Sequence, residues 1–475
     1  MKNKYYISII VILFSLLLFS CDKLNELPPN TLIAENAIKD ESTAESALNG
    51  AYSFFGAYNE LNAYSITNQA LRIKFLLPSV IRSNYELELT FLAPESSWVH
   101  LKNLWVITFK VINAANNVIY QLERFKDEDF SPNRRKEILG EAYFLRGYAN
   151  LYQMKMFAHF WDINSEYGPL LRLEPANLGN SKLARSTVAE GYESILEDLQ
   201  FAIDNAPKFK TIYYASKELA KAYKAEALLM RGKDGDYTEV ASLANDLIQN
   251  GPFTLEGSFG NIYTKMYNCS ELMFTRIIKP ENIGLQDLIV ANVASAYNLL
   301  GRKMNAPSDE FFEFFPQSDT RYEHIIGQVL AVNSNNTTYT NTWIKHFEVS
   351  GNVPIRFMRI SQMYLFLAEA LYKTNAPVAQ VLAPLNVLRE RCGMPIYKES
   401  DILVYQDLED IIFYEIVAEV GVENGSEFFA SVRFKNSAGK RKIADFNPAY
   451  TSDNLLCLPI PDDEILFNPL MKQNP

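Results

Sequence analysis

The pattern of apolar positions between residues 135 and 169 predicts one long helix that is packed on two sides. One row of residues recurs at alternating spacings of four and three, which places it on a single helical face. A second row lies about 110° round the same helix. The first row is Ile138, Ala142, Leu145, Ala149, Tyr152 and Met156, and the second is Phe144, Tyr148 and Leu151. Small residues among the large ones let neighbouring helices approach closely, as in stacked helical hairpins.

This central helix has a clear start signal in the sequence. Ser131 is followed directly by Pro132. Serine is a favoured N-cap, and proline fits the first helical position because that position needs no backbone donor. We therefore predict that the helix begins at Pro132 with Ser131 as its N-cap.

Helical periodicity returns in further stretches along the chain. These are residues 34–52, 104–122, 187–205, 216–232, 237–249, 354–373, 378–391 and 410–433. Between 216 and 249, small and large apolar residues alternate in the manner of a tetratricopeptide repeat. The predicted fold class is therefore mostly α, with a tetratricopeptide-like helical-hairpin (α-solenoid) core in which each hairpin buries its apolar face on the next.

Two stretches, residues 53–100 and 252–350, lose this periodicity and predict long irregular loop insertions with a few short strands. The helical-repeat core is then predicted at about 34–52, 104–250 and 354–433. No Gly/Ser-rich or Pro-rich linker divides the chain. We therefore expect one domain over residues 34–475, in which the insertions are available for ligand binding.

The N-terminus has the features of an export signal. A basic start is followed by an apolar run over residues 5–19, which is shorter than the roughly 20 residues that span a bilayer. The sequence Leu18-Phe19-Ser20-Cys21 resembles a bacterial lipobox, in which the cysteine carries the lipid. We expect a signal peptide at 1–20, lipidation at Cys21 and a lipidated tether at 21–33; the alternative is a plain secretory peptide.

Charge and composition exclude several classes of function. The formal net charge is −11, and loss of Lys2 and Lys4 with the signal peptide would make it −13. An acidic surface argues against nucleic acid as a partner. The remaining cysteines show no spacing typical of a disulfide framework or a zinc site, so we interpret them as small core residues, although one disulfide among them stays open. They are Cys269, Cys392 and Cys457.

The chain offers little of the chemistry that metals or cofactors need. Its four histidines stand alone, and neither H-x-x-x-H, C-x-x-C nor a phosphate-cradling glycine loop occurs. We predict no metal, no cofactor and no catalytic residue. Residues 234–236 (DGD) are interpreted as a hairpin turn, and residues 462–464 (DDE) as a helix N-terminus. A pair of carboxylates suited to glycoside hydrolysis is set in space rather than in sequence, so a hydrolase remains an alternative.

Several motifs occur in one order over nearly the whole chain. They are the A-x-x-L-R-G-x-x-x-L run at 142–151, NCSELMF at 268–274, the R-x-x-Q-x-x-L-x-x-A-E-A run at 359–370, the glutamate-rich segment at 410–433, and the closing P-I-P and Q-N-P at 459–475. Together with the lipobox, they resemble the SusD/RagB family of bacterial nutrient-binding lipoproteins over residues 24–475.

Three positions depart from the family pattern. Ile416 stands where the family often has arginine, and Glu427 and Ala430 replace an arginine and an aspartate around an aromatic turn. In the family these positions belong to a structural ion network. We therefore expect the local packing, rather than the function, to differ here.

The resemblance implies capture of a ligand rather than its conversion. SusD-like proteins present oligosaccharides to a SusC-like, TonB-dependent outer membrane transporter, and RagB-like members present peptides. Sugars stack on aromatic rings while amides and charged groups bond their hydroxyls. The candidate ligand residues from the insertions are Tyr58, Arg82, Asn84, Tyr85 and Trp98, followed by Tyr297, Tyr339 and Trp343.

Three interpretations therefore remain open for the chain. The first is a cell-surface lipoprotein, anchored in the outer membrane, that captures glycans, with peptide capture as its runner-up. The second is a helical-repeat adaptor without a small ligand, which predicts that Trp98 and Trp343 are buried or scattered. The third is a hydrolase, which requires two carboxylates about 5 to 9.5 Å apart in one cleft.

Overall fold

The structure is a computed structural model that describes residues 37–57, 65–78, 84–275, 305–316, 318–332, 338–344 and 354–475. Its long helices are α1 (Glu41–Ala57), α2 (Ser65–Arg72), α3 (Asn84–Thr90), α4 (Val99–Leu122), α5 (Arg134–Phe157), α6 (Val188–Asn205), α7 (Lys217–Arg231) and α8 (Asp236–Asn250). They are followed by α9 (Asn261–Thr264), α10 (Asp309–Phe314), α11 (Tyr322–Ile325), α12 (Ser361–Lys373), α13 (Val378–Arg391), α14 (Asp407–Val420), α15 (Ser426–Arg433), α16 (Ile443–Phe446) and α17 (Asp462–Phe467). The mostly α fold class is confirmed.

Six short strands accompany these helices in the described parts of the chain. They are β1 (Leu76–Pro78), β2 (Leu272–Phe274), β3 (Asn305–Pro307), β4 (Ile326–Val332), β5 (Thr338–Ile344) and β6 (Met358–Arg359). They pair antiparallel as β1 with β3, β2 with β6 and β4 with β5. The strand predicted within 268–274 begins only at Leu272, because Met266–Asn268 forms a 3-10 turn.

The helices stack in the order that the hairpin pattern predicts. The central helix α5 lies between α4 and α6, and α7, α8 and α12 follow in sequence. At two glycines α5 comes very close to its neighbours: a Cβ on Gly140 would lie 2.2 Å from the backbone nitrogen of Ala206, and one on Gly147 would lie 3.0 Å from Cβ of Asp198. Larger residues at these positions would force the helices apart.

The predicted start of the central helix is wrong by two residues. The helix begins at Arg134, with Asn133 in the left-handed region at φ 68° as the residue before it. Ser131 does not cap this helix, because its backbone N–H and its hydroxyl both donate to the Glu41 carboxylate of α1, at 2.6 and 3.1 Å. A contact 90 residues away in the chain thus overrides the local capping signal.

Other local predictions agree with the structure. Residues 233–235 form the turn between α7 and α8, with Gly235 at φ 89°, and Asp236 accepts two hydrogen bonds from Arg231. Trp105 is buried against Phe157, as the packing interpretation requires. The three described cysteines are free and buried, so no disulfide forms among them. Of the 462–464 segment, Glu464 accepts a hydrogen bond from the Trp105 indole, while Pro461 occupies the N-cap.

A buried ion network joins the C-terminal helices to the segments around the second insertion. Arg359, which is fully buried, donates to Glu271 at 2.8 Å, to Glu419 at 3.1 Å and to Glu423 at 2.9 Å. Arg391 bonds the second oxygens of Glu271 and Glu419, at 2.6 and 2.5 Å. Two guanidinium groups therefore bind three carboxylates away from water.

The network continues through a second pair of arginines. Arg321 bonds Asp319 and Glu415, each at 2.8 Å, and Arg389 bonds the other oxygen of Glu415 at 2.7 Å. Burial alone would raise the pKa of Glu419, but Arg391, Arg359 and Arg321 together lower it below its ordinary value. The arginines thereby keep Glu419 ionised despite its burial.

The positions that depart from the family pattern take no part in this network. Ile416 and Ala430 are buried apolar residues. Glu427 is fully buried in the first turn of α15. Burial, with Glu423 nearby, raises the pKa of Glu427 to about 7, because the backbone N–H groups that face it offset only part of that effect. Two of the three positions are therefore apolar, and the third is a buried carboxyl group outside the network.

Replacing Arg359 should show how much the network contributes to the free energy of unfolding. In Arg359→Met, three buried carboxylates lose a partner, so we expect the free energy of unfolding to fall by about 3 to 5 kcal/mol. Urea denaturation measures it. Lys472→Met is the control, because its ion pair with Glu166 is exposed on both sides and should contribute little. Equal losses in both variants would contradict this interpretation.

Glu427 should make the stability of the protein depend on pH. Because its pKa is higher in the folded than in the unfolded state, its contribution to stability is complete below about pH 4.5 and is lost as the pH rises through 7. Glu427→Gln should therefore raise the free energy of unfolding at pH 8 by about 1 to 3 kcal/mol, with no gain at pH 4. Thermal melts across this range measure the difference.

The matched control for this variant is Glu369→Gln. Glu369 is equally buried but accepts two hydrogen bonds of 2.8 Å from Arg433. Neutralising it should destabilise the protein at pH 8, which is the opposite sign. A loss of stability at pH 8 in both variants would show that Glu427 is ionised and satisfied in the folded protein.

Candidate functional site

The two predicted insertions meet on one side of the molecule. Strand β1 of the first pairs with β3 of the second, with Leu76 opposite Pro307 and Pro78 opposite Asn305. Strand β3 in turn lies beside β5. We call the part formed by 76–78, 84–98, β3, β4 and β5 the insertion layer. Segments that lie more than 200 residues apart in the chain thus form one surface.

A cluster of aromatic rings attaches this layer to the core. The Phe75 ring, just before β1, lies 5.0 Å from that of Phe311 and 5.9 Å from that of Phe314, both in α10 just after β3. Phe446 closes the cluster from the C-terminal part, 5.2 Å from Phe75. Because tilted and edge-to-face pairs of this kind are directional as well as apolar, they fix the orientation of the layer.

Trp98 is held in place at the entrance to α4. Its indole Nε1 donates to the Glu88 carboxylate at 2.6 Å, and its ring centroid lies 5.9 Å from that of Tyr85. The same oxygen of Glu88 accepts the backbone N–H of Glu95 at 3.0 Å. Trp98 is half-buried, so one part of a fixed ring remains open to solvent. A ring held this way loses little freedom when it binds a ligand.

Tyr85 supports Trp98 rather than facing solvent. It is 0% exposed, its hydroxyl accepts from Asn68 Nδ2 at 2.8 Å, and its ring packs against His100 at 5.4 Å. Asn84, the first residue of α3, is exposed. Of these two neighbouring candidates, only Asn84 can meet a ligand without rearrangement.

The structure places the other candidates less completely. Tyr339 and Trp343 lie on β5, in register with Ala331 and Gly327 of β4, and are described by their backbone. Tyr58, Arg82 and Tyr297 lie outside the described residues, as does Cys21. If Trp98 and Trp343 lie close together, the chain is better explained as a binding protein than as an adaptor. The contact between β3 and β5 is the observation that supports such an arrangement.

Phe91 is an exposed aromatic residue that the sequence interpretation missed. It follows α3 directly and is 54% exposed. The next residue, Leu92, adopts φ 58°, so the chain turns sharply here. Lys74 lies 5.9 Å from the centre of the Phe91 ring. The sequence contains a signal for this exposed turn, because Phe91 lies between the polar residue that ends α3 and Pro94, and proline marks a turn.

The described residues contain no group of three metal-binding side chains. No helix in the described part of the chain is both long and apolar enough to cross a membrane. With Trp98, Phe91 and Asn84, the insertion layer offers aromatic faces and a polar group, which are suited to holding a neutral, hydroxyl-rich ligand.

Family comparisons cover both ends of the chain. A family model described as starch-binding and associating with the outer membrane matches residues 24–232, and the SusD family model matches residues 331–475. No match is found among curated proteins.

Solved structures share the fold over nearly the full chain. A SusD superfamily protein from Bacteroides thetaiotaomicron is 20% identical, with 92% of this chain and 100% of that one covered and a TM-score of 0.77. A SusD superfamily protein from Parabacteroides distasonis is 17% identical, with 92% and 99% covered and a TM-score of 0.75. A SusD-like carbohydrate binding protein from Bacteroides vulgatus is 17% identical, with 91% and 98% covered and a TM-score of 0.72.

These matches agree with the motif order, the helical-repeat core and the paired insertions. Members of the matched family are outer-membrane-associated proteins of nutrient uptake that bind carbohydrate and are not enzymes. The chain therefore belongs to the SusD/RagB family of carbohydrate-binding nutrient-uptake proteins.

Proposed function

We propose that this chain captures oligosaccharides at the cell surface and delivers them to a SusC-like, TonB-dependent outer membrane transporter. The observation that carries the proposal is the contact of the two insertions through β1, β3 and β5. It brings the fixed indole of Trp98 and the exposed ring of Phe91 into the same layer as β5, which contains Trp343.

The proposed organisation follows the sequence prediction. A signal peptide at 1–20 is removed, Cys21 carries the lipid, and residues 21–33 tether a single domain over 34–475. Several acyl chains on one cysteine would hold the protein to the outer membrane nearly permanently. The insertion layer, rather than the helical stack, is then the surface that meets the ligand.

Within the layer we assign Trp98 and Phe91 to sugar stacking. Asn84, at the exposed start of α3, is the polar partner closest to Trp98 in sequence among the described candidates. Tyr339 and Trp343 of β5, with Tyr58, Arg82 and Tyr297, complete the proposed set. Tyr85 contributes by holding the Trp98 ring from below.

Peptide capture is the second candidate function. The described part of the β4–β5 hairpin is a two-stranded antiparallel sheet with seven residue pairs from Ile326 and Ile344 to Val332 and Thr338. An extended peptide can add a strand to the edge of such a sheet and bind through its main chain. Peptides therefore belong in the same binding assay as sugars.

Removal of single aromatic rings should separate these functions. The described core begins at Ile38, so a chain that starts at residue 22 keeps every contact described above. Isothermal titration of this chain with neutral oligosaccharides should show binding that weakens about tenfold or more in Trp98→Ala and in Phe91→Ala, because each loses a stacking face. Thermal melts check that the variants fold.

The matched control is Tyr120→Ala. Tyr120 is 53% exposed, nearly the same as Phe91, but lies near the other end of α4, about 33 Å along the helix from Trp98. Sugar binding should be unchanged in this variant. Binding of peptides but not sugars would assign the second function. No binding of either would reject both and leave a helical-repeat adaptor.

A further inference from the structure

A cleft lies at the centre of the molecule, apart from the insertion layer. It opens where α5, α7, the stretch 354–357 and the turn after α14 meet, and the empty space in and in front of it, open solvent included, is about 570 Å³. Three tyrosine rings form one wall, those of Tyr148, Tyr152 and Tyr223. Asn424, Gln362 and four apolar residues also line the cleft, together with the charged residues discussed below. No lining residue belongs to the insertion layer.

Most charged groups in this cleft are already paired. Lys155 lies 2.6 Å from a carboxylate oxygen of Glu226 and 4.4 Å from the centre of the Phe429 ring. Glu423 accepts from Arg359 at 2.9 Å and from the hydroxyl of Tyr263 at 3.0 Å. Glu226 and Glu423, the two carboxylates of the lining, are therefore both paired within the protein, and neither is available to a second cation.

Arg356 is the exception among these groups. It is only 4% exposed, and its guanidinium lies over the Tyr263 ring at 4.6 Å. One terminal nitrogen, Nη2, reaches the carbonyl oxygen of Ile262 at 3.5 Å, and the other, Nη1, has no hydrogen-bond partner in the described part of the chain. A buried guanidinium with an unused donor is costly unless an acceptor is supplied.

We propose that this cleft binds the carboxylate group of a small ligand. The planar guanidinium of arginine matches a carboxylate better than any other side chain does. The tyrosine wall offers rings against which the body of the ligand can pack, and the Asn424 amide lies at the turn beside it. The ligand is either an acidic sugar or the carboxyl end of a peptide. The proposal is independent of glycan capture, because the two sites share no residue.

Paired ligands that differ only in the acid group provide the direct test. The chain from residue 22 is titrated with D-glucuronate and D-glucuronamide, and with N-acetylglycine and its amide. We expect at least one acid to bind about tenfold tighter than its amide, because a charge-assisted hydrogen bond to the buried guanidinium is lost in the amide. The acid that shows the preference identifies the source of the carboxylate.

Substitution of Arg356 places the site in the cleft. Arg356→Gln should abolish the preference for the acid, and Arg356→Lys should restore part of it by restoring the charge. The matched control is Arg72→Gln, since Arg72 is also a buried guanidinium over an aromatic ring, 4.2 Å from the centre of Phe428, but does not line the cleft. The control should keep the preference.

Three results would overturn the proposal. The first is equal binding, or no binding, of acid and amide by the parent chain, and this comparison decides even where Arg356→Gln does not fold. The second is an unchanged preference in a folded Arg356→Gln. The third is an equal loss in the folded Arg72→Gln control, which would mean that the preference follows from general electrostatics rather than from this cleft.

Discussion

The buried network of arginines and carboxylates is the constraint on which the C-terminal half of the molecule depends. A buried charge that loses its partner is costly, so every segment that contributes one to this network must be in place. Glu271 lies just before β2 in the first part of the second insertion, Arg321 lies further along it, and Arg359 lies just after it at the end of β6. The network therefore clamps this insertion to the helical stack at three points, and α14 supplies the common carboxylates.

This clamping holds the insertion layer on the helical stack. The insertion enters through β2 and returns through β6, which pair with each other, so its two ends are held side by side. Between those points the chain is free to build β3, β4 and β5 and to meet the first insertion at β1. The aromatic cluster around Phe75 then sets the angle of the layer.

The sequence predicted the bounds of Val378–Arg391 correctly, because its buried residues recur at helical spacing and Gly393, at φ 68°, marks its end. It failed where a distant side chain decides: Glu41 captures Ser131. The aromatic turn expected after the glutamate-rich helix in 410–433 is instead the helix α15, which begins directly after Gly425 at φ 78°. For the site, the sequence identified the segments but could not separate Tyr85 from Trp98. That distinction depends on Asn68 and Glu88, which bond the two rings in different ways.

Hydrogen–deuterium exchange of the chain from residue 22, with and without an oligosaccharide mixture, tests most directly whether the insertion layer is the ligand-binding surface. The account predicts slower exchange in two separate segments at once, 84–98 and 305–344, with the helical stack α6 to α8 unchanged. Protection confined to the helical stack, or in only one of the two segments, would contradict it.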